Sequence, residues 1–281
     1  MDFKWVKRLP LASHLRLWQV ISLETTILKS AESTRHETLK ILAIETSQRH
    51  GSVAACQGDI LLEEHWLDTR LRTSRSLAPA IAQLLVDVGW RAVDVDLVAV
   101  TQGPGSFTGL RIGVTTAKTF GYASGAAVVG LNTLEILAVQ LLMDPATTDS
   151  TGPTDVVLDA QRNQFFTARY RRQGNQLVRE LPTRIVDREE WLAVRKEKDD
   201  SLVDGITAGV LPGRQAGQLE RSIAAATLGR LAAWRQADPD RWPRDDATWA
   251  KAGALTEVMA LVPRYYRQSA AEEKAEELQG D

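Results

Sequence analysis

The run Leu39–Thr46 (LKILAIET) constrains this chain most. It is nearly unbroken in apolar residues, the composition of a strand buried on both faces, so the fold must supply layers above and below its sheet. Ser47–Gly51 then reads as a turn. Ser52–Cys56 and Ile60–Trp66 read as two more strands, joined by Gln57-Gly58-Asp59 as a hairpin-type connection. From Ser74 to Val88, Leu77, Ile81, Leu84, Leu85 and Val88 fall at helical spacing, and Gly89 is placed to end that helix. A buried strand at Val95–Thr101, a helix from Phe107 to Ser124, a short strand at Ala127–Gly130 and a helix from Thr133 to Met143 follow. Three strands, then helices alternating with strands, predict a mixed sheet: an antiparallel meander plus parallel strands reached by helical crossovers.

The second half begins in the same way. Asp144–Pro153 (DPATTDSTGP) has linker composition. Asp155–Asp159 then reads as a strand, Ala160–Asn163 as a turn, Gln164–Tyr170 as the hairpin partner and Gln176–Arg184 as a third strand. Helices are expected near Ile223–Gln236 and Ala254–Ala260. A strand-meander-plus-helix unit used twice resembles the two-lobed α/β fold of the actin-like/sugar-kinase/heat-shock ATPase superfamily, in which an RNase H-like unit with a mixed sheet is duplicated. The division expected is an N-terminal extension over residues 1–38, a first lobe over 39–145, a linker over 146–153, a second, degenerate lobe over 154–270 and an acidic tail over 271–281.

Charge narrows the function classes. With 34 basic and 36 acidic side chains, the net charge is −2, without the basic excess of a protein that grips nucleic acid unaided. The single cysteine, Cys56, excludes an intrachain disulfide framework and fits a reducing cytosol. No apolar run reaches the ~18–20 residues of a membrane span. The opening segment is different in kind. Met1–Leu23 sets Lys4, Lys7, Arg8 and Arg16 against only Asp2, between tryptophans and leucines. It reads as an extension outside the core fold or a start site set too far upstream; the alternative is an organelle transit segment.

The most specific stretch is Thr101-Gln102-Gly103-Pro104-Gly105-Ser106-Phe107-Thr108-Gly109-Leu110-Arg111-Ile112-Gly113. Its glycines and proline let the backbone turn sharply between strand and helix, and Ser106 or Thr108 can cap the new helix. Such a helix start is either a structural turn or an anion cradle. It is not a P-loop, because Leu110-Arg111 stands where Lys-Ser/Thr is needed.

This stretch resembles the GPGSFTGLRIG signature of the TsaB (YeaZ-like) family. Glu45-Thr46-Ser47 resembles the family's acid-Thr-Ser strand end, with Glu where Asp is usual. Gly130–Leu134 resembles its next strand-to-helix turn. Asp159–Arg162 resembles its Asp-Ala-Arg hairpin, with Gln161 and Arg162 departing in order, and Pro263–Arg267 fits its Pro-x-Tyr-x-Arg ending. The likeness runs from about residue 39 to 273 and is strongest over residues 39–135.

The resemblance implies a non-catalytic subunit, cytoplasmic and free of membrane, that binds and activates a TsaD-like transferase. The product is N6-threonylcarbamoyladenosine in tRNAs reading codons that begin with A. A small TsaE-like ATPase would join the pair, tRNA would be met only through the complex, and ATP would be used by the complex without this chain binding a cofactor alone. The TsaD-type relatives hold metal through His-x-x-x-His. The four histidines here, His14, His36, His50 and His65, never take that spacing, and Thr73-Ser74 stands where the family often has His-Ser. Glu45, Thr46, Ser47 and Gly51 occupy the place of the superfamily's first nucleotide turn, as a vestige. The rivals are an ATP-dependent small-molecule kinase of the same superfamily and a homodimeric interaction module.

Gly109, Gly113, Ala117, Gly121 and Gly125 recur every four residues, and residues four apart form one ridge on a helix. A ridge of small residues either packs on the chain's own sheet or receives another subunit. The family's pairing through first-lobe helices favours the second. The expected interface is therefore Ser74, Leu77, Ser106, Phe107, Thr108, Gly109, Gly113, Ala117 and Gly121.

Overall fold

The computed structural model describes residues 38–142, 152–174, 176–194, 202–203, 223–238, 248–251 and 255–267. The expected extension up to residue 37 and the acidic tail lie outside them.

β1 (Lys40–Glu45) is central, as its composition requires. It pairs antiparallel with β2 (Ser52–Gln57) and parallel with β4 (Leu97–Gly103), and β3 (Ile60–Trp66) continues the meander beyond β2. β5 (Ala127–Asn132) adds in parallel to β4. Ile41 and Ala43 point to one face of the sheet, Leu42 and Ile44 to the other, and all four are fully buried. The second face is covered by α1 (Thr73–Asp87) and α2 (Phe107–Ser124), through Leu77, Ile81, Leu84, Leu85, Val114 and Ala117. Gly125 closes α2 at φ 81°, where a side chain would be strained.

The first face is covered by α3 (Thr133–Leu142) and by a later helix, and the second sheet packs against α3. There, β6 (Pro153–Asp159), β7 (Gln164–Gln173) and β8 (Gln176–Asp187) form the expected antiparallel meander, with β9 (Leu202–Val203) parallel to β6. A short helix, α4 (Arg188–Val194), lies against that meander through Trp191 and Phe165. The duplicated RNase H-like, actin-like architecture is thus present.

The chain does not divide linearly where the sequence places the boundaries. α5 (Ala225–Ala237) and β10 (Thr248–Ala250) fall within the 154–270 stretch expected to form the second lobe, yet α5 packs on β1 and β2, and β10 pairs antiparallel with β5 at the first sheet's edge. α6 (Leu255–Ala260) then lies against α2. Gly229 of α5 sits directly over Cys56, which is buried and inert there, its thiol pushed up to about 12 by burial. An ion pair between Glu135 of α3 and Arg235 of α5, both almost fully buried, holds the returning helix in place.

Candidate functional site

The place of the first nucleotide turn is filled from within. Glu45 ends β1 fully buried, and its Oε1 accepts both the Ser47 amide (2.7 Å) and the Ser47 hydroxyl. Burial pushes its carboxyl up to about 8 against the pull of those bonds, so it is mainly neutral at pH 7. Thr46 donates its amide to Thr101 Oγ1 (3.3 Å) and its hydroxyl to the Gly109 carbonyl (2.9 Å). Gly51 is small because a β-carbon there would meet the Glu45 carbonyl at 2.6 Å.

The glycine-rich loop leans on the same strand end. The Ser106 amide donates to the Ser47 carbonyl (2.7 Å), a β-carbon on Gly105 would collide with that carbonyl, and Ser106 Oγ caps α2 by accepting the Gly109 amide (3.2 Å). The loop is a structural turn. The Glu45 carboxyl is turned onto Ser47, and the loop glycines are packed against Ser47 and Thr46, so the strand end and the loop hold each other at this position. Among the described residues no three His, Cys, Asp or Glu side chains come together to hold a metal ion. His65 instead faces Asp87 at 3.1 Å, while His14 and His36 lie outside the described residues.

The glycine ridge is corrected as well. β-Carbons on Gly109 and Gly113 would collide with Thr46, and one on Gly121 with Val128; Ala117 is fully buried. The ridge faces the chain's own sheet. Leu77 is likewise a core residue, 1% exposed. Of the nine expected interface residues only Ser74, Ser106, Phe107 and Thr108 reach solvent, and these four line a cleft between the lobes.

What faces outward on the two helices is a different set. Ser74, Ala78, Ala82 and Val86 on α1, and Thr115, Thr119 and Ala123 on α2, repeat every four residues and are exposed, with Tyr122 beside them. Val86 is 72% exposed and Tyr122 65%. α1 and α2 touch one another on one face of the sheet, and these ridges lie on their solvent-facing sides. The sequence carried a signal for this. Leu110 and Val114 each follow a ridge glycine by one position, which places the glycines on α2's apolar face.

The C-terminal segment closes the site from the other side. The Arg264 amide donates to the Gln102 carbonyl (2.7 Å), and Gln102 Nε2 donates to the Val262 carbonyl (2.6 Å). Tyr265 stacks on Phe107 with centroids 4.4 Å apart, and Arg111 lies over the Phe107 ring while donating to the Tyr265 hydroxyl (3.0 Å). Tyr266 accepts from Asn132 Nδ2 (3.2 Å), and Arg267 donates to the Ala160 carbonyl (2.7 Å) in the second lobe. Pro263–Arg267 therefore clasps both lobes around a cleft of about 1000 Å³. Sequence reasoning found this motif only as a resemblance and missed its role.

Fold and site together define a two-lobed protein of the actin-like class whose first phosphate turn is closed by its own residues. Comparison with known proteins shows what the chain is similar to. A family model described as TsaD, tRNA N6-adenosine threonylcarbamoyltransferase, matches residues 70–205. The tRNA threonylcarbamoyladenosine biosynthesis protein TsaB of Bacillus subtilis is 29% identical over 238 residues, 84% of this chain and 97% of that protein. TsaB of Escherichia coli is 30% identical over 139 residues, 49% of this chain and 57% of the relative. The structure of YeaZ from Pseudomonas aeruginosa superposes with a TM-score of 0.62 at 22% identity, covering 81% of this chain and 99% of that one, which bears on the fold alone. By these comparisons the chain is similar to the TsaB (YeaZ-like) proteins over most of its length.

Proposed function

We propose that this chain is a non-catalytic subunit of the cytoplasmic machinery that makes N6-threonylcarbamoyladenosine in tRNAs reading codons that begin with A. It binds a TsaD-like transferase through the outer ridges of α1 and α2 and thereby activates it. One observation carries the reading: the strand end and glycine loop, where this fold class would do chemistry, pack against each other, while the outer ridges of α1 and α2 stay exposed among the described residues. Such a surface lets a second pair of helices approach closely, as ridge-and-groove packing requires. The names carried by its TsaB relatives support the same pathway. In this reading the chain binds no cofactor alone, and ATP is used by the complex with a small TsaE-like ATPase.

The test is reconstitution. The purified chain and a TsaD-like protein are mixed, with threonylcarbamoyl-adenylate and tRNA supplied, and modified nucleoside is measured. Neither protein alone is expected to reach the rate of the pair. Full transfer by this chain alone would overturn the reading. A complex containing two copies of this chain and no TsaD-like protein would replace it with the homodimer.

A further inference from the structure

The cleft between the lobes is lined by five arginines, Arg49, Arg72, Arg162, Arg264 and Arg267, against a single carboxylate, Asp159. The whole chain carries a net charge of −2, so this positive charge is gathered in one place. Arg49 and Arg72 come from the first lobe, Arg162 from the β6–β7 turn of the second, and the last two from the segment that clasps them. Arg49 and Arg72 are exposed, and among the described residues neither side chain has a carboxylate or hydrogen-bond partner. Arg267 is hydrogen-bonded, but only to neutral oxygens, those of Ala160, Gln161 and the Gln164 side chain, so its charge is also unmatched. The turn that carries Arg162 holds three successive non-glycine residues at positive φ, Gln161 (60°), Arg162 (51°) and Asn163 (60°). Backbone strain of this kind persists where the surroundings hold it, and here Arg267 pins it at the cleft wall.

Guanidinium groups match phosphate oxygens in a planar fork, and a cleft lined by one sign of charge concentrates its field. At the glycine turn, which opens on the same cleft, the Ser106 amide is taken by the Ser47 carbonyl and the Gly109 amide by the Ser106 hydroxyl, so a small anion finds neither donor there. The cations instead run along both walls of a space of about 1000 Å³, beside the stacked Phe107–Tyr265 pair, with Tyr265 41% exposed. We infer that this cleft binds the phosphodiester backbone of a single-stranded or looped RNA, its arginines contacting successive phosphates and Tyr265 offering a stacking surface to a base. The choice of RNA rests on the proposed place in tRNA modification; the preference for a chain of phosphates rests on the cleft alone.

The test is fluorescence anisotropy with a labelled anticodon stem-loop RNA over a salt series, using the full chain and its complex with a TsaD-like subunit. The variant is Arg49→Ala/Arg72→Ala, both exposed positions whose loss should leave thermal melting unchanged. The wild type is expected to bind in a salt-dependent way. The double variant should lose about tenfold in affinity, with a salt slope shallower by roughly 0.7 for each phosphate contact removed, and keep its TsaD-like partner. Equal affinity and slope in wild type and variant would overturn the inference, as would full displacement of RNA by equimolar ATP or pyrophosphate, which marks a small-anion site. Loss of partner binding together with RNA binding would reassign the cleft to the protein interface. A chain that binds RNA through these arginines but no TsaD-like subunit would leave the cleft standing and remove the proposed function.

Discussion

Gly113→Ala separates an inward ridge from an outward one with a single methyl group. The new β-carbon would collide with Thr46 Oγ1 and lie 3.4 Å from Thr46 Cβ and 3.5 Å from Val100 Cγ2. Thr46 cannot simply rotate away, because its hydroxyl donates to the Gly109 carbonyl at 2.9 Å in the interior. Overpacking costs about 1–3 kcal/mol, and stranding that buried hydrogen bond about 1–3 kcal/mol more. Alanine's better helix propensity returns about 1 kcal/mol. The net is about 3 kcal/mol, which lowers the melting temperature of a protein this size by roughly 6–12 °C. Urea unfolding and a binding titration with a TsaD-like protein are run on the same variant, at a temperature where it remains folded. Stability should fall and affinity should hold. An unchanged melt with lost binding would refute the reasoning and return the glycines to the interface.

Ala82→Arg, on the outer ridge of α1, should give the reverse pattern: melting within about 0.5 kcal/mol of wild type and partner binding abolished, both read in the same two assays. Arg235→Met leaves the Glu135 carboxylate buried without its ion-pair partner, and should cost about 3–5 kcal/mol in urea unfolding, with Glu135→Leu/Arg235→Met recovering most of it. Glu45 should make stability fall as pH rises. Its folded pKa of about 8 lies above the unfolded value near 4.5, so the folded state holds the extra proton: stability is fully present below about pH 4.5, declines between the two values and levels off above 8. Glu45→Gln, which keeps an acceptor for Ser47, should flatten that decline in chemical unfolding measured across the pH range.

Local periodicity carried most of the fold. The helix expected at Ser74–Val88 spans Thr73–Asp87, the one at Phe107–Ser124 is reproduced residue for residue, and the second meander begins and turns where its apolar alternation places it. Each of these depends on side chains a few positions apart, which a sequence displays directly. The returns to the first sheet do not. That α5 covers β2 is decided by Gly229 meeting Cys56, and that α3 receives α5 is decided by Glu135 meeting Arg235, pairs separated by a hundred positions or more. Spacing of four residues marked the small ridge on α2 correctly but is silent about which side it faces; only the neighbouring Leu110 and Val114 settle that.

The cleft was illegible for a related reason. Net charge averages over the whole surface, and a value of −2 conceals five arginines gathered from four separate stretches of chain. What gathers them is Pro263–Arg267. Its backbone is fixed to the first lobe through Gln102, its Tyr265 to Phe107 at the head of α2, and its Arg267 to Ala160 in the second lobe. One short segment thus ties the lobes together at the cleft and supplies part of its charge. Loosening it would change the spacing of Arg49 and Arg72 relative to Arg162 without touching any of the three. A motif that ties two lobes together constrains residues it never contacts.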